Sequence, residues 1–347
     1  MEPALRPMSL GEILDRTAEL YRTNFGLFAG IFVVYAGAAL AMNLLVLGLE
    51  ELLRAEHMIR AAIWVRLSAL GIEWLVLFLM AGAAVAAICR AVAWVHLGEP
   101  ATIRGAYASI LPRLGRYLWL MTVTFFVVWT PIVLLYLGYF GTVLFFGRGL
   151  RPNAGATAQH AAGINPQAAM VALTATAIFL LLMIPAVVYT ILMALRYALA
   201  LPACVVEDLA ALRAIRRGID LSKGSRGRIF VLGVLIFAIK LVFVAITQAF
   251  VFIAAFRHRG QIGPGLTVLS QVMTFFTNTF LGPIYATGIT LLYYDQRVRQ
   301  EGYDIVWMME AAGLTPPALE AGPAAPIASG DAGDAQGREP DGPGDPH

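Results

Sequence analysis

Two charged side chains, Glu73 and Lys240, lie inside otherwise apolar stretches of this chain. A charge at mid-bilayer costs about 2.5–3.5 kcal/mol on insertion scales, so it is expected to face a bundle interior, hold a partner, or serve an ion or proton path. Lys240 is the residue on which a function is most expected to rest. It lies roughly 17 Å into its stretch at 1.5 Å per residue, near the middle of a core about 30 Å thick. Glu73 enters from the opposite side, some 9 Å deep, which leaves about 4 Å of axial offset from Lys240. A Lys240–Glu73 pair is therefore one expectation. The alternatives are backbone carbonyls, Gln248 or Asn278 through water, and snorkelling. A second set, Asp295, Arg297 and Arg299, follows the last apolar stretch, where interfacial charges anchor a helix end. Asp295 is expected to pair with an arginine of a neighbouring surface helix, such as Arg16 or Arg22. A third set, Arg213, Arg216, Arg217, Lys223, Arg226 and Arg228, occupies one short segment. Near an anionic lipid surface each such side chain contributes about 1 kcal/mol. Ordinary topology-setting charge is the alternative reading.

Catalytic patterns are missing from the sequence. Five histidines show no His-Glu-x-x-His or other metal spacing, and there is no Gly-x-Ser-x-Gly, Walker A or Gly-x-Gly-x-x-Gly segment. Cys89 and Cys204 make no disulfide framework and read as small buried apolar residues. No enzyme, cofactor or metal centre is expected.

The elements that must position these residues follow from composition. Apolar residues make up 59% of the 347, charged residues only 14%, and mean hydropathy is +0.73. Soluble proteins run at about 45–50% and about 25%. This excludes a soluble enzyme, a disordered chain and a disulfide scaffold for the bulk of the molecule. It predicts an all-α, polytopic helical membrane protein. Six spans are expected, at 23–49, 67–89, 117–147, 168–195, 229–256 and 266–294, three of them containing Pro131, Pro185 and Pro283. No cleaved secretory signal is expected, because Glu2, Glu12, Asp15 and Glu19 precede the first apolar run.

Basic residues set the orientation. Sixteen Lys or Arg fall on the side of the N-terminus and seven on the other, which predicts cytoplasmic N- and C-termini in the cytoplasmic (inner) membrane. The segments on the richer side are themselves patterned. Ser9 followed by Glu12 is a capping box, and Leu10, Ile13, Leu14, Thr17, Leu20 and Tyr21 recur at helical spacing behind it. Residues 100–116 and 209–228 repeat the arrangement. Three units are expected, each an amphipathic surface helix followed by a membrane hairpin. A last surface helix is expected over 295–314. Domain one is thus 1–314. The remainder, 315–347, is Pro/Gly-rich and acidic; it is expected to be a disordered tail. Gly26-x-x-x-Gly30 and the Gly82/Ala86 face are expected to serve internal helix packing.

Two stretches resemble a known family. Ser9-Leu-Gly-Glu-Ile-Leu-Asp-Arg-Thr-Ala-Glu-Leu-Tyr-Arg-Thr-Asn-Phe25 resembles the leading helix of the membrane domain of glycerophosphoryl diester phosphodiesterases. Leu291-Leu-Tyr-Tyr-Asp-Gln-Arg-Val-Arg-Gln-Glu-Gly-Tyr-Asp304 resembles its closing motif. Between them the likeness is mainly in hydropathy. Some members carry a catalytic barrel; this chain looks like a stand-alone bacterial membrane member. The triplet His258-Arg259-Gly260 matches the opening of that barrel, but Gln-Ile-Gly follows where Glu-Asn is needed, and no strand–helix alternation comes after. The resemblance therefore implies no hydrolase activity.

Two functions fit these readings. The first is a non-catalytic membrane protein that organises or assists a partner, with the lipid bilayer, anionic lipids and a membrane protein as its contacts and no nucleic acid. The second is a transporter, channel or lipid-handling protein with a path through the bundle; Lys240, Glu73 and the three prolines favour it. The scarcity of other intramembrane charge favours the first.

Overall fold

The computed structural model describes residues 7–147, 166–257 and 263–303, with 305 and 309. Every regular element among them is helical. In chain order these are α1 (Leu10–Thr23), α2 (Phe25–Ala55), α3 (Ile59–His96), α4 (Ile103–Ile110), a 3₁₀ turn (Leu111–Arg113), α5 (Leu114–Gly147), α6 (Pro166–Tyr197), α7 (Ala200–Val206), α8 (Ala211–Ser222), α9 (Arg226–Arg257) and α10 (Pro264–Glu301). The chain divides into two units, Met1–Asp304 and Ile305–His347. The acidic tail at 315–347 and the triplet His258-Arg259-Gly260 lie outside the described residues.

The three-unit reading holds in space. α1, α4 and α8 are the surface helices, and α2/α3, α5/α6 and α9/α10 are the hairpins that follow them and pack pairwise. The Ser9 capping box forms, with Ser9 N–H donating to Glu12 Oε2 at 2.7 Å and Glu12 N–H donating to Ser9 Oγ at 3.3 Å. Thr102 caps α4 by accepting from Gly105 N–H at 3.1 Å.

Five helical stretches are long and apolar enough to cross a membrane: Phe25–Ala55, Ile59–His96, Ile103–Phe145, Met170–Val206 and Arg226–Ala254. α10 is the sixth long helix, and at 38 residues it extends roughly 57 Å. It is less apolar than the rest because it carries Thr, Ser, Asn and Gln side chains through its length. Its neighbours are α2, α9, α3 and α1, so Thr279, Thr287 and Thr290 are buried. Thr287 and Thr290 bond carbonyls one turn back. Residues 295–301 of the expected surface helix continue α10, which Gly302 ends in the left-handed region at φ 63°; 303, 305 and 309 are helical again, and 304, 306–308 and 310–314 lie outside the described residues.

The prolines stay within continuous helices. Hydroxyls from neighbouring helices bond carbonyls three residues ahead of two of them. Thr190 Oγ1 donates to Val128 O ahead of Pro131, and Tyr21 OH donates to Phe280 O ahead of Pro283. Close packing uses small residues. A Cβ on Gly30 would meet Ile103, one on Gly82 would meet Met121, and one on Gly218 would come within 2.5 Å of the Ala200 backbone. Gly30 and Gly82 thus pack inside the chain, as expected, whereas a Cβ on Gly26 would meet nothing within 4 Å. Cys89 and Cys204 are buried free thiols.

Candidate functional site: an ion-pair clamp and two isolated membrane charges

Short surface helices and long membrane helices meet at one end of the bundle, and there the structure concentrates its charge. Asp295 is 1% exposed. It accepts from Arg228 Nη1 at 2.9 Å, from Arg299 Nε at 2.9 and 3.1 Å, and from the Met8 backbone N–H at 2.7 Å. Arg299 Nη2 also donates to Met8 O at 2.6 Å. One carboxylate therefore joins the lead-in to α1, the start of α9 and the end of α10. The expected partners, Arg16 and Arg22, are not the ones used. Arg16 pairs with Glu19 on its own helix, while Arg228 and Arg299 reach Asp295 from α9 and from the next turn of α10. The two segments that carry the family resemblance, nearly the full chain apart, come together here.

A second centre surrounds Glu207. It accepts from Arg217 Nε at 3.0 and 3.1 Å and from Tyr293 OH at 2.6 Å, and Arg297 Nε stands 3.6 Å away. Arg217 and Arg297 both also pair with Glu301, and the Arg297 guanidinium sits 4.0 Å over the Tyr303 ring. Burial alone would raise the Glu301 pKa, but the hydrogen bond and charge of Arg217, helped by Arg297, bring it below its ordinary value. Burial disfavours charge on Arg217, and Glu301 and Glu207 outweigh it, so its pKa rises. The neighbouring Asp208 pairs with Arg113 and Arg116, and Arg116 also donates to Asp208 O and Leu209 O. Asp208 holds φ 59°, a left-handed conformation costly for most side chains but tolerated by Asp, and these contacts hold it there.

Glu207, Asp208, Arg113 and Arg116 were not among the residues the sequence singled out; Tyr293 and Glu301 lie in the closing motif but had no role assigned there. One signal pointed to Glu207 and Asp208: positions 100–206 hold no carboxylate, and then two come together in the most basic segment of the chain.

Of the six basic residues of the third set, Arg217 and Arg228 are turned into the clamp, and Lys223 pairs with Asp220 at 2.7 Å. Arg217 and Arg228 are thus not free surface charges, whereas Lys223 and its partner Asp220 are both exposed. Arg213, Arg216 and Arg226 are exposed and enter no ion pair among the described residues.

The two intramembrane charges are kept apart. No ion pair among the described residues joins Lys240 to Glu73. Lys240 is exposed, as is every residue from 237 to 246. It continues the buried stripe Ile229, Leu232, Ile236 at helical spacing, but α9 has left the core by that point. Glu73 is half-buried and lines an open groove between α2, α3 and α5.

No family model matches the chain, and no curated protein or solved structure does either.

Proposed function

We propose that this is a non-catalytic multi-pass protein of the cytoplasmic membrane that organises or assists a membrane partner, recognised through the exposed face of α9. Lys240 carries this reading. It lies on an exposed face inside a membrane span, and no ion pair within the chain offsets it among the described residues. A charge at that depth needs a counter-charge or a polar path, and a carboxylate on a neighbouring protein supplies one. The clamp supports the same reading, since Asp295, Glu207, Asp208, Arg297 and Arg299 are engaged in binding helices to one another. A stand-alone relative of the glycerophosphoryl diester phosphodiesterase membrane domain, with both termini cytoplasmic, fits it as well. Arg213, Arg216 and Arg226 are then free to meet anionic lipid headgroups.

Photo-crosslinking in cells tests this, with the crosslinker at Phe237 or Val244 on α9 and at Leu181 on α6 as the comparison. The expected result is a discrete protein adduct from α9 that disappears in Lys240→Met, while that variant still melts like the parent in detergent. Adducts that are equally diffuse from both helices overturn the proposal. Reporter fusions at positions 150 and 222 are expected on opposite sides of the membrane. A lipid-handling role is the second reading, favoured by the open groove beside Glu73.

A further inference from the structure

At the end of the bundle away from the clamp, two cavities share a single residue. The first is a polar pocket of about 220 Å³ between the C-terminal part of α2, α3 and the start of α10, lined by Glu50, Glu51, Arg54, Arg66, Asn43 and Gln271 among others. The second is an apolar groove of about 740 Å³ lined by Leu70, Trp74, Phe78, Phe125 and Phe126 among others. Arg66 lines both. Glu50 is 7% exposed, and its Oε1 has no hydrogen-bond partner among the described residues. Arg66 Nε stands 3.7 Å from that oxygen, an ion-pair distance but too long for a hydrogen bond. The other oxygen, Oε2, is 3.4 Å from Arg54, which Glu51 also holds at 2.8 Å.

A buried carboxylate oxygen with no donor is costly and calls for one. The pocket holds two carboxylates and two guanidiniums, so its charge is balanced, but both contacts to Glu50 are long, at 3.4 and 3.7 Å. An anion alone would bring no donor to Glu50 Oε1, and a cation alone would compete with Arg66 for that carboxylate. The complement is a zwitterion with a phosphate for Arg66 and Arg54 and an N–H donor for Glu50. The groove that leads from Arg66 along the helices suits a hydrocarbon chain. We infer that this pocket and groove bind one zwitterionic phospholipid whose ammonium headgroup carries at least one N–H, with phosphate at Arg66, ammonium at Glu50 and an acyl chain along Leu70, Trp74 and Phe78. A quaternary ammonium has no N–H to give, so the site should discriminate by methylation. The inference does not rest on the partner proposed for α9.

The test uses the full chain in mild detergent, with native mass spectrometry against equal mixtures of phosphatidylethanolamine, its N-methyl and N,N-dimethyl forms, phosphatidylcholine and phosphatidylglycerol, all with the same acyl chains. Retention is expected to hold through the N,N-dimethyl lipid, which keeps one N–H. It should then fall roughly tenfold at phosphatidylcholine, the factor that one charge-assisted hydrogen bond can supply. Soluble phosphoethanolamine should fail to compete, because it brings nothing to the groove. Glu50→Gln should flatten the methylation series, and Arg66→Gln should weaken all the phospholipids together. The methylation series on the unaltered chain decides the matter even if a variant fails to fold. Equal retention of phosphatidylethanolamine and phosphatidylcholine, preference for phosphatidylglycerol, or competition by soluble phosphoethanolamine overturns the assignment. Loss of selectivity in Glu73→Gln while Glu50→Gln keeps it would place the headgroup in the groove and overturn it too.

Discussion

α3 passes through two different environments. Near its C-terminal end Ala84, Ala86, Ala87, Ile88 and Cys89 are completely buried, whereas Trp64 and Trp74 toward its other end are more than 70% exposed. The same division runs through the bundle. Its buried core draws on Ile13 and Leu20 of α1, Ile110 of α4, Ala203 and Cys204 of α7, Leu221 of α8 and Leu291 to Tyr294 of α10. Away from that end, α5, α6 and α9 turn Phe140, Leu181 and Phe252 outward. The difference shows what holds helices together where lipid is the solvent. Apolar side chains gain little by leaving lipid for protein, so association comes from close contact at small residues and from polar bonds. At the clamp end both are present; at the other, Arg54 pairs within α2, the contact that crosses from α3 to α2 is the long Arg66–Glu50 pair at 3.7 Å, and Glu50 is left partly unanswered.

The sharpest way to break this contrast is at Asp295. Asp295→Ala leaves Arg228 and Arg299 facing one another and the Met8 N–H without its acceptor. Removing one partner of a buried ion pair costs about 3–5 kcal/mol. The expected outcome is a large loss of folded protein in detergent, seen by thermal melting and size exclusion. A normal melt would show that the clamp does not hold this end together. Gly218→Val comes next, since its side chain would meet the Ala200 backbone where α7 and α8 cross. Overpacking of this kind costs about 1–3 kcal/mol. The same change at Gly141, which has open space around it, should leave packing undisturbed, and valine is no poorer a helix former than the glycine it replaces.

Acid should loosen the clamp before it affects the apolar spans. Glu301 has a folded pKa below its ordinary 4.5. Its contribution is therefore fully present above about 4.5 and is lost as pH falls through the lower folded value. Melting temperature should drop over that window, and the drop should shrink in Glu301→Gln. An unchanged acid response in that variant would assign the loss to other carboxylates.

The smallest effects are expected at the membrane charges. Lys240→Met and Glu73→Gln remove side chains that no ion pair joins, so each should leave melting nearly unchanged, and the double variant should be additive to within about 0.3–0.5 kcal/mol. A double variant less destabilised than its singles would restore the pairing that the structure does not show.

Much of this molecule was determined by the sequence alone. Hydrophobic run lengths and the capping box at Ser9 specify helices and their order, because backbone groups in lipid must bond within their own segment. The three surface helices were legible too, since helical periodicity is a local property. Ile229, Leu232, Ile236 and Lys240 form one stripe at helical spacing along α9, and the first three are buried. What the tertiary structure alone decided is where that stripe stops being buried. It also chose Arg228 over Arg16 or Arg22 for Asp295, brought Glu207 and Asp208 between three helices, and let Arg66 serve two cavities. Periodicity reports which face of a helix is apolar. It does not report how far along its length a neighbour follows it, because in lipid an apolar face is equally satisfied with or without one.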